Sequence, residues 1–180
     1  IGAVKLNAAQ LDALTKAAFT FREGQGGGCA HASVNKDFIG KDTAILARVA
    51  GLNVPAETQL LFAETDAKHP FVEEEQMMPF IPVVRVKNVE EGIQRSLAAE
   101  HNYKHTSIIH SHDVENMTAM ARALDTTIFV KNGPCMAGLG LGGEGYLSYS
   151  IATPTGEGVT NPRTFTRVRR CVMVDNLRIY

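Results

Sequence analysis

The middle of the sequence alternates short apolar runs with helical patterns, and this alternation constrains the fold more than any other feature. The apolar runs lie at residues 60–63, 81–86, 106–110 and 127–131, and each has the length of a buried strand. Amphipathic helical patterns separate the last three runs. Strands that alternate with helices are typical of a parallel sheet with right-handed crossovers. The sequence therefore predicts an α/β fold built on a parallel sheet.

Capping residues mark where the predicted helices begin and end. Residues 7–10 (NAAQ) and 88–91 (NVEE) match the capping box, in which two side chains three residues apart satisfy backbone amides at a helix start. Asp113 is placed to cap a third helix, and residues 42–50 predict a fourth that ends at Gly51. Two of these four helices lie between strands of the alternating region.

Composition places the chain among ordinary globular proteins. Its 180 residues are 44% hydrophobic and 21% charged, with a net charge of −1, which suits one domain with a real core. Such a charge gives no reason to expect a nucleic-acid or membrane partner, and no apolar run is long enough to span a bilayer. The cysteines, Cys29, Cys135 and Cys171, are far apart and odd in number, which favours a reducing cytoplasm over a disulfide scaffold.

A glycine-rich stretch raises the question of a dinucleotide loop, because Gly138, Gly140 and Gly143 match G-x-G-x-x-G. A loop of that kind follows a strand and opens a helix, whose N-terminal amides hold the pyrophosphate. A strand is predicted at residues 127–131, but the residues after Gly145 alternate like a second strand. The pattern therefore favours a connection between strands over a nucleotide loop.

Histidine and cysteine side chains offer two further kinds of site. Three histidines lie close in sequence, at His105, His110 and His112. A metal site needs a further ligand, often a carboxylate, and the nearby Asp113 is better placed as a helix cap. We therefore predict no metal site. Cys135 would need a base such as His105 to become a nucleophile. A lone cysteine in a loop is more often unreactive, and the residue patterns leave both possibilities open.

The end of the chain departs from the alternation. Residues 147–151 and 168–175 are strand-like, with no helix pattern between or after them. A terminal strand with a free edge needs a partner for its backbone groups. We therefore predict that the last strand leaves the domain and pairs with another chain.

Several longer stretches are more specific than these patterns. They are HPFVEEEQMMPFIPVVRVKNVEEGI at 69–93, IFVKNGP at 128–134, GLGLGGEG at 138–145, PTGEG at 154–158 and RTFTRVRRCVMVD at 163–175. The first resembles the aldehyde dehydrogenase superfamily. Together they resemble the CoA-acylating aldehyde dehydrogenases of bacterial microcompartments, of the ethanolamine- and propanediol-utilisation type, and the resemblance runs over all 180 residues.

The resemblance implies a particular architecture. The family has a Rossmann-like cofactor domain, a catalytic domain with helices on both faces of a parallel sheet, and a β-strand oligomerisation flap. This chain resembles only the C-terminal part, with residues 1–145 in the catalytic α/β domain and 146–180 forming the substrate loop and the oligomerisation strand. The cofactor domain and the nucleophilic cysteine would precede Ile1. None of the three cysteines falls at the nucleophile's position, so the chain alone is expected to be inactive.

The resemblance also implies the reaction and its participants. Members form a thiohemiacetal between a cysteine and a short-chain aldehyde, pass hydride to NAD and transfer the acyl group to coenzyme A. We therefore expect NAD as cofactor, CoA as co-substrate, and a homo-oligomer assembled through the C-terminal strand. The expected location is the cytoplasm, inside a bacterial microcompartment.

Individual residues take roles from the resemblance. Glu75, last of three consecutive glutamates, matches the glutamate that holds the nicotinamide ribose, although Met77 replaces the aromatic residue common two positions on. His105 matches a histidine near the active centre, and we expect it to be the acid–base residue of the CoA step. It also precedes a strand, at a sheet edge of the kind where α/β domains build sites. The segment that closes over the aldehyde tunnel would contain Cys135, Gly138 and Gly140.

Two alternatives stay open. The chain could be a non-catalytic assembly module acting through its terminal strand, which a mass near 19.5 kDa for the natural protein would favour. It could instead be the reductase part of a bifunctional aldehyde–alcohol dehydrogenase, which a further metal-dependent domain after Tyr180 would indicate.

Overall fold

The computed structural model of the chain describes residues 2–22, 31–143, 146–151 and 158–175. The chain divides into two compact units, Ile1–Arg95 and Ser96–Tyr180. The functional division after residue 145, which rests on resemblance, stays a prediction. Among the helices that lie in the described ranges, none has the length and apolar character needed to cross a membrane.

The first unit is built around three parallel strands. In chain order its elements are β1 (Ala3–Lys5), α1 (Ala8–Ala18), β2 (Phe19–Arg22), β3 (His31–Val34), α2 (Thr43–Val49), β4 (Leu60–Thr65), α3 (Pro70–Glu73), β5 (Phe80–Val84) and the start of α4 (Val89–Ala99). Lys36–Phe38 forms a short 3-10 turn.

Strand β4 is the centre of this sheet, whose order is β1-β4-β5 with both pairs parallel. Its apolar sequence explains the place, because the middle strand of a covered sheet buries side chains on both faces. Leu61 and Ala63 are almost fully buried, and they pair with Phe80 and Pro82 of β5. The strands predicted at 60–63 and 81–86 are thus confirmed, with shifted ends.

A hydrophobic core of buried side chains lies within the first unit. Phe71 contacts two other aromatic side chains of this core. Its ring packs edge-on against Phe19, with ring centroids 4.8 Å apart, and is tilted against Phe80 at 4.3 Å. Each buried aromatic side chain of this kind contributes about 1.5–3 kcal/mol. The other members of the core are Leu6, Leu14, Ala18, Leu46, Ala47, Ala50, Leu61, Ala63 and Met78.

The predicted helix starts are confirmed. Asn7 and Gln10 form a reciprocal capping box, with bonds of 3.0 and 2.9 Å to each other's backbone amides. At α4, the Asn88 side chain accepts the amide of Glu91 at 2.9 Å. The Glu91 carboxylate departs from the standard box, because it accepts the amide of Lys87 and not that of Asn88.

Strands β2 and β3 form an antiparallel hairpin that the sequence patterns do not predict. Phe19 pairs with Val34 and Thr20 pairs with Ser33. β2 follows directly on α1, whose C-cap is Phe19 itself in the extended conformation. The chain therefore passes from helix to strand with no turn residues to mark the change.

The second unit contains the rest of α4, then β6 (Thr106–Ile109), α5 (Val114–Leu124), β7 (Ile128–Lys131), α6 (Cys135–Gly138), β8 (Ser150–Ile151) and β9 (Val159–Thr160), with a 3-10 turn at Pro162–Phe165. Strands β6 and β7 are parallel, with Thr106 opposite Ile128, and α5 connects them. Asp113 caps α5 by accepting the amides of Glu115 and Asn116. The strand–helix–strand alternation predicted here is confirmed.

The C-terminal strand is not confirmed. Within residues 146–151 only Ser150 and Ile151 lie in a strand, and residues 166–175 contain neither strand nor helix. The segment is open to solvent, with Val168 98% exposed. The physical reason is that an extended segment becomes a strand only when another strand accepts its backbone hydrogen bonds, and this chain alone offers none among its described residues.

Candidate functional site

Glu75 lies in the connection between α3 and β5, which two hydrogen bonds and one buried side chain anchor. The Gln76 side chain donates to the Phe71 carbonyl at 3.3 Å, the Met77 carbonyl accepts the Gly40 amide at 3.2 Å, and Met78 is buried. The Glu75 side chain is exposed, and its carboxylate makes no hydrogen bond or ion pair with any described residue. A fixed loop thus presents an uncommitted carboxylate, which can accept hydrogen bonds from a ligand's hydroxyl groups.

His105 sits at the end of a tight turn that leads into β6. Its amide donates to Glu100 Oε1 at 3.1 Å, and its carbonyl accepts the amide of Ile128 at 3.0 Å. Its ring nitrogen Nδ1 lies 2.7 Å from the hydroxyl of Thr106. The residue is exposed, and Nε2 has no partner within the described part of the chain. The imidazole is therefore held on one side and open on the other.

The sheet-edge argument for His105 is wrong. Because His105 precedes β6 and β6 runs parallel to β7, the histidine lies at the amino edge of this pair of strands. Open α/β sheets bind ligands beyond the carboxyl ends of their strands. The expected role of His105 therefore rests on resemblance and on its open imidazole, and no longer on the general rule for α/β folds.

Cys135 begins α6, four residues beyond the end of β7. The thiol is half-buried and makes no hydrogen bond to any described residue. No hydrogen bond joins the two candidate partners, because neither the thiol nor Nε2 of His105 has a partner among the described residues. A cysteine nucleophile needs a base or a long helix N-terminus to become a thiolate. Among the described residues no hydrogen bond joins Cys135 to a base, and α6 is only four residues long.

Close packing requires glycine at three positions of the 138–143 segment, Gly138, Gly140 and Gly143. A Cβ at Gly138 would lie 2.2 Å from Cγ2 of Ile128, and one at Gly140 would lie 2.5 Å from the carbonyl oxygen of Tyr146. Gly140 also has φ +92°, in the region that side chains rarely adopt. The amide of Ser148 donates to the Leu139 carbonyl at 3.1 Å, which closes the segment on itself. The segment is thus a compact loop.

This loop does not have the geometry of a dinucleotide-binding turn. Helix α6 ends at Gly138, where the G-x-G-x-x-G pattern begins, and the next element in the described residues is the strand β8. No helix there offers amides to a pyrophosphate. The preference for a connection between strands is therefore confirmed for the part of the segment that the structure describes.

Sequence reasoning missed a cavity of ≈ 790 Å³ in the first unit. It opens at the carboxyl ends of β4 and β5, where the α/β rule expects ligands. Glu64, Asp66, Lys68, His69, Arg85 and Arg95 supply its charged and titratable walls. The sequence did hold a sign of this cavity. Glu64 directly follows one predicted strand, and Arg85 lies within the next.

Ion pairs organise one wall of this cavity. Arg85 bonds to Glu64 through Nε at 2.8 Å, and Lys5 reaches the same carboxylate at 2.7 Å. The Arg85 guanidinium, helped by the Lys5 ammonium, lowers the pKa of the Glu64 carboxyl to about 2. All three side chains are exposed to solvent, Glu64 the least at 39%, so the pairs define local charge and add little to stability.

The described residues contain no group of three or more histidine, cysteine or carboxylate side chains that could hold a metal ion. His110 and His112 follow β6 and belong to no such group. The metal-binding alternative that the three neighbouring histidines raised finds no set of ligands in these residues.

The chain is similar to several characterised enzymes. It is 53% identical over 177 residues to the acetaldehyde dehydrogenase (acetylating) EutE of Salmonella typhimurium, covering 98% of this chain and 37% of that protein. It is 42% identical over 179 residues to the propanal dehydrogenase (CoA-propanoylating) of Citrobacter freundii, covering 99% and 37%. A weaker similarity of 30% covers 61% of this chain and 13% of an aldehyde-alcohol dehydrogenase of Streptococcus pneumoniae. No protein-family model matches the chain.

Solved structures share the fold. The propionaldehyde dehydrogenase of Rhodopseudomonas palustris with bound propionyl-CoA superposes with a TM-score of 0.83 and 43% identity over 96% of this chain and 36% of that one. The propionaldehyde dehydrogenase of the Clostridium phytofermentans fucose utilisation bacterial microcompartment superposes with a TM-score of 0.83 and 37% identity. This match covers 96% of this chain and 37% of that one. An engineered glycolyl-CoA reductase with bound NADP+ superposes with a TM-score of 0.83 and 42% identity, again over 96% of this chain and 37% of that one.

The fold is therefore of the aldehyde dehydrogenase type. Within that class the chain belongs to the CoA-acylating aldehyde dehydrogenases. It spans about 37% of the length of the curated relatives that it matches most fully.

Proposed function

We propose that this chain is part of an NAD-dependent, CoA-acylating aldehyde dehydrogenase that converts a short-chain aldehyde to its acyl-CoA. The observation that carries the proposal is the 53% identity, over 98% of the chain, with an acetylating acetaldehyde dehydrogenase. The superposition on a structure with bound propionyl-CoA supports CoA as the acyl acceptor. The aldehyde is short, because both curated relatives are named for short aldehydes.

Glu75 holds the cofactor in this proposal. NAD, when bound, supplies the hydride acceptor. The Glu75 carboxylate fits a ribose, because it is uncommitted, exposed and carried by an anchored loop. Two carboxylate oxygens can accept both hydroxyl hydrogens of the sugar and so fix the position of the nicotinamide.

His105 moves the proton of the CoA step. Its Nε2 takes the thiol proton as the CoA sulfur forms a bond to the acyl carbon, and the enzyme's cysteine sulfur leaves with the electrons of the broken bond. Histidine suits the task, because a histidine side chain ordinarily titrates at about 6.5, near neutral pH. The open Nε2 and the bonded Nδ1 support this assignment.

The nucleophile lies outside this chain in the proposal. Cys135 makes no hydrogen bond to a base among the described residues, and Cys171 is exposed in a segment without regular structure. Cys29 falls outside the described residues. A solved relative carries an acylated cysteine together with CoA, which supports the covalent route for the whole enzyme. The 180 residues alone therefore have no aldehyde-oxidising activity.

The remaining proposals concern assembly and place. Residues 168–175 pair with a second copy of the chain, supported by the exposed apolar side chains of Val168, Val172 and Val174. The enzyme works inside a bacterial microcompartment, as a solved relative of the same fold does. The loop with Cys135, Gly138 and Gly140 closes over the aldehyde.

Product analysis of the whole enzyme tests the proposed reaction. With acetaldehyde or propionaldehyde, NAD and CoA, we expect one acyl-CoA for each NADH and no free carboxylic acid. The 180-residue chain assayed in parallel should produce neither. Free acid as the main product would reject the acylating reaction, and turnover by the chain alone would make one of its own cysteines the nucleophile.

A further inference from the structure

The turn before His105 holds an unusual backbone. His101, Asn102 and Lys104 have φ values of 53°, 63° and 57°, in the left-handed region that residues with a side chain seldom adopt. Three such residues within four positions destabilise the turn by themselves. A turn of this kind persists only where the surrounding structure fixes it, and such turns cluster at functional sites.

Hydrogen bonds from three directions fix this turn. The Lys104 ammonium donates to the carbonyl of Leu124 at 2.9 Å, and the Lys104 carbonyl accepts the amide of Thr127 at 2.9 Å. Glu100, at the end of α4, reaches across the turn and accepts the amide of His105 at 3.1 Å. The backbone of His105 is therefore held by a side chain five positions earlier.

The hydrogen bond between the Glu100 carboxylate and the His105 amide carries an unfavourable contribution to stability as well as a favourable one. Its second oxygen, Oε2, is buried and has no hydrogen-bond partner among the described residues. A buried carboxylate oxygen without a partner destabilises a fold. The unit retains this unfavourable arrangement at the one side chain that fixes the His105 amide, which points to a positional role for Glu100.

Thr106 fixes the ring itself. Its hydroxyl lies 2.7 Å from Nδ1 of His105, and its backbone is locked in β6 by the pairing with Ile128. A proton on Nδ1 that is shared with this hydroxyl leaves the lone pair of the ring on Nε2. That is the nitrogen that is open to solvent and the one that a general base needs to be unprotonated.

We propose that Glu100 and Thr106 are positioning residues for His105. Glu100 fixes the backbone of His105. Thr106 holds the ring so that its proton is on Nδ1 and Nε2 faces the incoming CoA thiol. The inference rests on the proposed function of His105 in the CoA step. It adds two side chains that touch neither substrate nor cofactor and act through the histidine.

Nitrogen-15 NMR of the His105 ring tests the positioning independently of activity. At a pH where the ring is neutral, the wild-type chain should carry its proton on Nδ1, and Thr106→Ser, which keeps the hydroxyl, should match it. Thr106→Val keeps the shape and removes the hydroxyl, so the proton should move towards Nε2, the form that free imidazole side chains favour. Thr118→Val is the matched control, because that hydroxyl donates to the Val114 carbonyl within α5 and has no other partner among the described residues.

Kinetics of the whole enzyme then separate this inference from the proposed function. Thr106→Val and Glu100→Ala should slow transfer to CoA at least about tenfold while leaving the first turnover of hydride transfer unchanged. Glu100→Gln, which keeps an accepting oxygen, should restore most of the rate. An unchanged ring in Thr106→Val, or a wild-type proton on Nε2, overturns the positioning inference. A changed ring with unchanged transfer to CoA rejects instead the proposed role of His105.

Discussion

Nδ1 of His69 accepts the amide of Phe71 at 3.3 Å, and the two rings stack with an interplanar angle of 7°. His69 thereby caps α3 and lies against a buried side chain of the first unit's core. The bond requires an unprotonated Nδ1. Burial lowers the pKa of His69, and the nearby Asp66 opposes this only in part.

This arrangement predicts a pH-dependent stability for the first unit. Because its pKa is lowered in the folded state, His69 binds fewer protons there than in the unfolded chain. Its contribution is complete above the unfolded-state pKa of about 6.5 and is lost as pH falls from there through the lower folded-state pKa. Urea unfolding between about pH 8 and about pH 5 should show this loss in the wild type and a smaller one in His69→Gln.

His110→Gln is the matched control for that experiment, since His110 is exposed and has no partner among the described residues. It should keep the wild-type slope of unfolding free energy against pH. Equal slopes for His69→Gln and the wild type would show that His69 is not the group responsible.

The glycine loop predicts a contrast between two positions that both have positive φ. A Cβ at Gly140 would meet the backbone of Tyr146 at 2.5 Å, whereas a Cβ at Gly142 would meet nothing within 4 Å. Gly142→Ala should cost about 1 kcal/mol from its backbone conformation alone. Gly140→Ala should cost more, about 2–4 kcal/mol, because backbone must also move. Chemical unfolding measures both, and equal costs would contradict the close packing.

Glu75 should matter for hydride transfer and not for aldehyde capture. In the whole enzyme, Glu75→Gln should slow the first turnover of NADH formation about tenfold or more, because a neutral amide accepts fewer and weaker hydrogen bonds from a ribose. The nucleophilic cysteine should still react with an alkylating agent at the wild-type rate. Glu74→Gln is the neighbouring control and should behave as wild type. Unchanged hydride transfer in Glu75→Gln would remove Glu75 from the cofactor site.

The C-terminal segment should determine the assembly. Removal of residues 170–180 from the whole enzyme should yield a smaller particle in gel filtration or light scattering, because a segment with exposed valines and no strand partner among the described residues is a surface for strand pairing. Val172→Thr preserves the branched shape and should keep the wild-type size. A truncated enzyme of wild-type size would contradict pairing through this segment.

The elements that could be predicted from the sequence are those with local causes. The capping box at Asn7 and the cap at Asp113 were readable because each involves residues three or fewer positions apart. The apolar run of β4 was readable because a central strand is buried on both faces. The β2–β3 hairpin could not be predicted in this way, because its first residue, Phe19, is also the C-cap of α1.

The candidate site was less accessible to sequence reasoning. Glu75 and His105 came from resemblance, and nothing in their local patterns distinguishes them. The roles of Glu100 and Thr106 depend on a turn with left-handed residues, which no periodicity indicates. The cap at His69 depends on burial against Phe71, which only the packed core creates. The terminal strand could not be confirmed, because the described residues offer it no strand to pair with.

The central claim is that this chain supplies the acid–base residue for the CoA step, and single-turnover kinetics of His105→Gln in the whole enzyme test it most directly. We expect a normal first burst of NADH, accumulation of the acyl-enzyme seen by intact-mass spectrometry, and transfer to CoA slowed by about a hundredfold or more. The pH dependence of the steady-state rate near neutrality should flatten. A variant with the wild-type steady-state rate and an unchanged pH profile would contradict the account and make His105 a structural residue.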